Sequence, residues 1–195
     1  IMLDAGCVSA INLDGGGSST FVARSEGSEA LSVVNRPSDG YERSVSTSLV
    51  IVSTAKPSNV FDHAIVSAEY DYLTVGTELA VTASGVTSTG GAIALPEGAA
   101  LKVSDESIGS LSNDVFTAKA LGDVQVQLIA ADGDVLGSKT LHVVEPTDLK
   151  FTKSSLNVVY GESTKLPLEA TYNENPVKIN PGDLQFGFLK ITLHS

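Results

Sequence analysis

Residues suited to chemistry lie close together near the N-terminus, where an apolar run ends in a carboxylate that is followed by three glycines and two hydroxyls. Consecutive glycines permit positive φ angles and a close approach of the backbone to a ligand, and their successive amides can bind an anion. The candidate catalytic residue is Asp14, and the candidate binding residues around it are Asn12, Gly15, Gly16, Gly17, Ser18 and Ser19. The alternative interpretation is a tight glycine turn between two core strands, with Asp14 capping the turn.

Two arginines follow in a second polar stretch and are candidates for binding a phosphate. Arg36 stands in an Asn-Arg-Pro sequence after Asn35, and Arg43 directly precedes an apolar run. A guanidinium binds phosphate through two parallel hydrogen bonds and keeps its charge at any physiological pH. We therefore include Asn35, Arg36 and Arg43 among the candidate substrate-binding residues. The alternative is a surface ion pair with Asp39 or Glu42, which would contribute little to stability.

Three motifs in this region together resemble a known family. AINLDGGGSSTFV (10–22), VNRPSDG (34–40) and RSVSTSLV (43–50) are similar, in order and spacing, to the end of a phosphodiester glycosidase domain. This family includes N-acetylglucosamine-1-phosphodiester alpha-N-acetylglucosaminidase. The resemblance covers about residues 1–55. Because the family's domain is longer, the resemblance implies a C-terminal piece of a larger secreted protein, with most of the domain upstream.

The resemblance implies hydrolysis of a sugar-1-phosphodiester. This reaction needs groups that hold the phosphate and a carboxylate that acts at the anomeric carbon, for which Asp14 is the candidate. Glycosidases commonly use two carboxylates, and the motif offers one. We therefore expect the other catalytic groups to come from an upstream region of the same protein, and we expect these 195 residues alone to be inactive.

The charge and composition of the chain exclude several classes of binding partner and cofactor. The formal net charge is −11, and twelve of the 23 acidic residues lie in residues 56–145, so the chain is a poor partner for nucleic acid or an anionic membrane. No apolar stretch is long enough to span a bilayer. Cys7 is the single cysteine, which excludes an internal disulfide. The three histidines have no metal-ligand spacing, and no nucleotide-binding motif is visible, so no metal and no cofactor are predicted.

The chain reads as three segments, 1–55, 56–145 and 146–195, with a linker composition at 54–59. In the first segment we predict a last helical turn at residues 1–5 with Gly6 as its αL terminator, followed by strands. The predicted strands of this segment are 8–14, 19–24, 30–35 and 44–53. We expect the stretch from 8 to 24 to form a strand, a glycine turn and a second strand.

The other two segments alternate apolar and polar residues between regular turns, which is typical of a sandwich. The stretch 72–78 recurs weakly at 156–162, with the two glycines 85 residues apart, about the size of one immunoglobulin-like module. Both copies are similar to bacterial Ig-like modules. The predicted fold class is therefore mainly β: a partial α+β glycosidase remnant, an antiparallel Ig-like β-sandwich at 60–145 and a second, incomplete β module whose open sheet edges need cover.

Two functional hypotheses follow. In the first, the chain is the C-terminal portion of a secreted or cell-surface phosphodiester glycosidase, with the Ig-like modules as spacer or anchor. Its partners would be a glycan or sugar-phosphodiester substrate and the upstream catalytic region. In the second, the chain is a surface adhesion or glycan-binding protein without catalysis. Tyr70 and Tyr72 share one strand face and could line a sugar-binding surface, although a role in the core and at the sheet edge is the alternative that we favour.

Overall fold

The computed structural model describes residues 1–11, 15–46, 48–155, 166–180, 182 and 184. These residues form short strands and turns without a helix, so the prediction of a mainly β protein is confirmed. The candidate residues Asn12 and Asp14 lie outside the described residues, as does all of the predicted repeat at 156–162.

The described strands fall into a hairpin, a sandwich and a three-stranded extension. The hairpin consists of β1 (Val22–Arg24) and β2 (Leu31–Val33). The sandwich strands are β3 (Phe61–Ala68), β4 (Tyr72–Leu73), β5 (Glu78–Thr87), β6 (Ala92–Ile93), β7 (Ala100–Val103), β8 (Gly109–Ser112), β9 (Val115–Ala118), β10 (Gly122–Ile129) and β11 (Val135–Val143). The extension consists of β12 (Asp148–Phe151), β13 (Leu168–Tyr172) and β14 (Asn175–Lys178).

Two sheets face each other across the core of the sandwich. One has the order β3-β5-β9-β8, with β6 also paired to β5, and the other contains β4-β11-β10-β7. Most pairs are antiparallel as expected, but the short β4 runs parallel to β11, which differs from the predicted fully antiparallel arrangement. β4 follows β3 in the chain but belongs to the other sheet, where its neighbour β11 runs in the same direction.

The core follows the period-2 pattern of the sequence. Val124, Val126 and Leu128 are buried on one face of β10, and Leu79 and Val81 are buried on β5. Because successive side chains of a strand point to opposite faces, each strand contributes every second residue to the interior. The alternation therefore predicted these strands correctly.

The extension continues the second sheet of the sandwich. β14 pairs parallel with β4, with Val177 opposite Tyr72, and the full sheet runs β12-β13-β14-β4-β11-β10-β7. The Thr74 amide donates to the Lys178 carbonyl at 2.9 Å, and Val177 is buried in this contact. An open edge at β4 would leave backbone donors and acceptors without strand partners, so β14 provides the cover that this edge requires.

The first segment begins with the terminator that the sequence predicted. The Ala5 amide donates to the Ile1 carbonyl, the Gly6 amide to Leu3 and the Cys7 amide to Met2, at 2.9–3.0 Å. Gly6 has a φ of 78°. This bond pattern around a residue with positive φ is the Schellman motif that ends a helical turn.

Two strands predicted for the first segment are not formed by those of their residues that the structure describes. Residues 8–11 form no strand, nor do the described residues of 44–53, while the strands predicted at 19–24 and 30–35 are shortened to β1 and β2. A strand needs a neighbouring ladder, and no described strand pairs with these stretches. Their apolar side chains consequently face solvent, as Ile11, Leu49 and Ile51 do.

Candidate functional site

The glycine stretch forms a turn, as predicted. The Ser19 amide donates to the Gly16 carbonyl at 3.1 Å, which closes a four-residue turn. Gly16 has a φ of 146°, a conformation that other residues rarely adopt. Gly15 and Ser19 are exposed, whereas Gly17 and Ser18 are half-buried. Backbone at Gly15, Gly16 and Ser19 is therefore accessible to solvent.

Gly17 is held against the second polar stretch by Asp39. The Asp39 amide donates to the Gly17 carbonyl at 3.4 Å, and a Cβ at position 17 would overlap the Asp39 carboxylate. A side chain at position 17 would have to displace the Asp39 carboxylate, so glycine permits this close approach. The contact joins the first and second motifs of the sequence.

Asn35 makes a second connection between the two motifs. Its side-chain amide donates to the Ser19 carbonyl at 2.8 Å, and its Oδ1 accepts from the Phe21 amide at 2.6 Å. The adjacent Val34 amide donates to the Phe21 carbonyl at 2.8 Å. Asn35 was predicted to bind substrate, but these contacts use its side chain to hold the end of the glycine loop.

Arg43 and Asp39 form an ion pair, which is the alternative that the sequence left open. The chain reverses before it at Gly40, whose φ is 81° and whose amide donates to the Pro37 carbonyl at 2.9 Å. Arg43 keeps further N–H donors beyond the one paired nitrogen, so it can still approach a phosphate. Arg36 is exposed in the same loop.

Asp39 makes more contacts in the structure than the sequence analysis predicted. It contacts the glycine turn and neutralises Arg43, and its side chain is 27% exposed beside the 53% exposed side chain of Arg43. The Pro-Ser-Asp-Gly sequence predicted a turn, and Asp39 was otherwise considered only as an ion-pair partner for an arginine. Its spatial role depends on how the two loops pack, which no local pattern reveals.

Much of the first segment lacks apolar cover. Many of its large apolar side chains are exposed in the described structure: Ile1, Met2, Leu3, Val8, Ile11, Phe21, Val22, Leu31, Val34, Tyr41, Val45, Leu49, Val50, Ile51 and Val52. Large exposed apolar surface marks an interaction site or a partly assembled core. The apolar side chains of the described first segment are therefore not gathered into a packed core.

The remaining candidates have structural roles or form no site. The ring of Tyr72 stacks on His142 and on Tyr172, with centroids 4.7 and 5.8 Å apart, so its faces are already engaged. No three His, Cys, Asp or Glu side chains of the described residues are grouped closely enough to hold a metal ion. Nor does any helix in the described part of the chain have the length and apolar character needed to cross a membrane.

An Asn35→Ala substitution tests the loop contacts. Removing the two side-chain hydrogen bonds should lower the hydrogen-exchange protection of the Phe21 amide by about threefold to tenfold, since each bond contributes about 1 kcal/mol. NMR-detected exchange measures this. Ser32→Ala is the matched control, because Ser32 is an exposed polar residue of the same hairpin that makes only a 3.5 Å contact with the Ala23 carbonyl. An unchanged Phe21 amide in Asn35→Ala would contradict this role.

Residues 1–52 match the phosphodiester glycosidase family, in agreement with the resemblance of the three motifs. No curated protein matches the chain. The glycine turn, Asn35, Arg36, Asp39 and Arg43 all lie within the matched residues, so the N-terminal segment of this chain is similar to a phosphodiester glycosidase.

Proposed function

We propose that residues 1–52 form the C-terminal part of a catalytic domain that hydrolyses sugar-1-phosphodiester bonds. The observation that carries the proposal is the contact between the glycine turn and the arginine loop within the family match. Asp39 touches Gly17 and pairs with Arg43, so one side chain links the glycine turn to a guanidinium from another motif. This combination suits a phosphodiester oxygen.

Each group has a distinct part in the proposed reaction. The amides of the glycine turn and the hydroxyls of Ser18 and Ser19 would hydrogen-bond phosphate or sugar oxygens, and Arg43 would bind the phosphate charge. Asp14, which directly precedes the turn in sequence, would act as an acid/base or nucleophilic carboxylate at the anomeric carbon. Asp39 would hold Arg43 in position until the phosphate takes over part of its hydrogen bonding.

The exposed apolar side chains of the segment support a larger catalytic domain. We propose that an upstream region of the same protein covers them and supplies the second carboxylate. Hydrolysis of an extracellular glycan conjugate would place the protein outside the cell or at its surface, with the sandwich as a spacer or anchor. An adhesion or glycan-binding role without catalysis is the competing function.

An enzyme assay tests the proposal with a synthetic sugar-1-phosphodiester and a protein that contains this chain with its upstream region. We expect release of free sugar, and we expect Arg43→Lys to raise KM about tenfold with a smaller change in kcat, because lysine keeps the charge but loses the planar fork. Lys139→Arg, in the sandwich, is the control for a basic exchange. Binding of glycans without any sugar release would favour the adhesion function.

A further inference from the structure

The turn of the β1–β2 hairpin rests on one edge of the sandwich. The Gly27 amide donates to the Gly90 carbonyl at 3.1 Å, and the Ala92 amide donates to Glu29 Oε1 at 3.4 Å. A Cβ at position 27 would lie 3.2 Å from Val86 Cγ2 and 3.7 Å from Ile65 Cδ1. The hairpin turn therefore packs on β3, β5 and β6 through both backbone and apolar contacts.

The receiving loop between β5 and β6 is held by hydrogen bonds of its own. The Thr87 amide donates to the Gly91 carbonyl at 2.8 Å, and the Gly91 amide donates back to Thr87 Oγ1 at 3.0 Å. Thr87 is buried. The same loop also holds the end of the linker, since the Ser58 amide donates to Thr89 Oγ1 at 3.0 Å. A preformed loop loses little conformational entropy when a partner docks on it.

His63 on β3 adds a charged contact to the docked turn. Its Nδ1 lies 2.8 Å from Asp62 Oδ2, and its Nε2 lies 3.7 Å from Glu26 Oε2 of the hairpin. Each ring nitrogen thus faces a carboxylate. A neutral imidazole has one N–H donor, whereas the protonated ring has two and carries a positive charge. Protonation therefore favours the contact with Glu26.

We propose that the edge formed by β3, β5 and β6 is an intramolecular docking surface that holds the hairpin and, through Asn35, the glycine turn, and that protonation of His63 strengthens this docking. The docking end of the hairpin is the turn at 25–30, and its other end carries the bonds of Asn35 and Val34 to the glycine loop. The sandwich is then a support for the candidate site as well as a spacer. This inference does not depend on the glycosidase activity.

The pH dependence has a defined sign. The hydrogen bond to Asp62 and the charge of Glu26 raise the pKa of His63 above its ordinary 6.5, outweighing the opposite effect of desolvation. Asp62 lies beside His63 on β3 whether or not the hairpin is docked, so only the interaction with Glu26 links this pKa to docking. That interaction favours docking while His63 is protonated and is lost as the pH rises through the raised pKa. The hairpin should therefore dock more weakly at pH 8 than at pH 5.5.

Hydrogen exchange of the full chain, followed by NMR, tests this inference. The Gly27 amide reports docking, the Phe21 amide reports support of the glycine loop, and the Val81 amide, bonded to the Asp114 carbonyl, reports the sandwich itself. His63→Ala should lower the protection of Gly27 and Phe21 by about twofold to fivefold at pH 5.5, as expected for a partly exposed ion pair. The protection of Val81 should not change.

His142→Ala is the matched control, because His142 also lies 2.8 Å from an aspartate, Asp123, but on the other sheet. It should leave Gly27 and Phe21 unchanged. Glu26→Gln should remove the difference in protection between pH 5.5 and pH 8. The inference is overturned if His63→Ala leaves the Gly27 amide unchanged, if His142→Ala has the same effect as His63→Ala, or if Gly27 responds while Phe21 does not.

Discussion

Replacing Asp14 with asparagine is expected to lower the hydrolysis of a sugar-1-phosphodiester by at least about 100-fold, measured as kcat in a protein that contains this chain with its upstream region. A positioned acid or base contributes about that much to a rate. Asparagine has nearly the same shape as aspartate but can neither exchange a proton in this way nor attack as a carboxylate. The fold should therefore be retained while the chemistry is lost.

The control for this change is Asp4→Asn, since Asp4 is an exposed carboxylate in the turn that begins the segment. It should leave kcat within about twofold of the parent, as surface substitutions away from a site are nearly neutral. Circular dichroism checks that both variants remain folded. Near-normal turnover in Asp14→Asn would reduce Asp14 to a turn cap and would remove the central residue from the proposed mechanism.

Replacing Phe116 with alanine should reduce the free energy of unfolding of the sandwich by about 3–5 kcal/mol. Phe116 on β9 is fully buried, and its ring occupies the space beside Gly109, where a Cβ would overlap it. Truncation leaves a cavity that the surrounding strands cannot close, because the backbones of β8 and β9 are joined by their ladder. Urea unfolding at equilibrium measures the loss.

Phe151→Ala is the matched control for the loss of a phenylalanine ring. Phe151 on β12 is 57% exposed, so its truncation should cost less than about 1 kcal/mol. Equal losses in the two variants would show that β9 does not lie at the centre of the core. A Phe116→Leu variant should recover part of the stability, because leucine fills much of the same volume.

Much of the sandwich was predictable from the sequence. The alternation at Leu79 and Val81, and again at Val124, Val126 and Leu128, placed these side chains in a core because a strand exposes alternate faces. The glycine turn and the terminator at Gly6 were predictable for a related reason. Positive φ angles are costly for residues with a Cβ, so glycine marks where such angles occur.

The strands predicted at 8–14 and 44–53 show that an apolar run alone does not establish a strand. An apolar run indicates that a stretch is suited to burial, but it does not supply the neighbouring strand that a ladder requires. In the described structure Ile11 and Ile51 remain exposed, because no strand lies beside them. The apolar pattern therefore indicated a preference for burial in a sheet, but no neighbouring strand of the described structure provides that burial.

The β class, the glycine turn and the motifs that relate residues 1–52 to phosphodiester glycosidases could all be predicted from the sequence, because they depend on local conformation and residue type. Which groups come into contact is visible only in the folded chain. Asp39 contacts Gly17, Asn35 holds the glycine loop, and the hairpin rests on the sandwich near His63. Such contacts depend on packing between residues distant in sequence, and no local pattern encodes them.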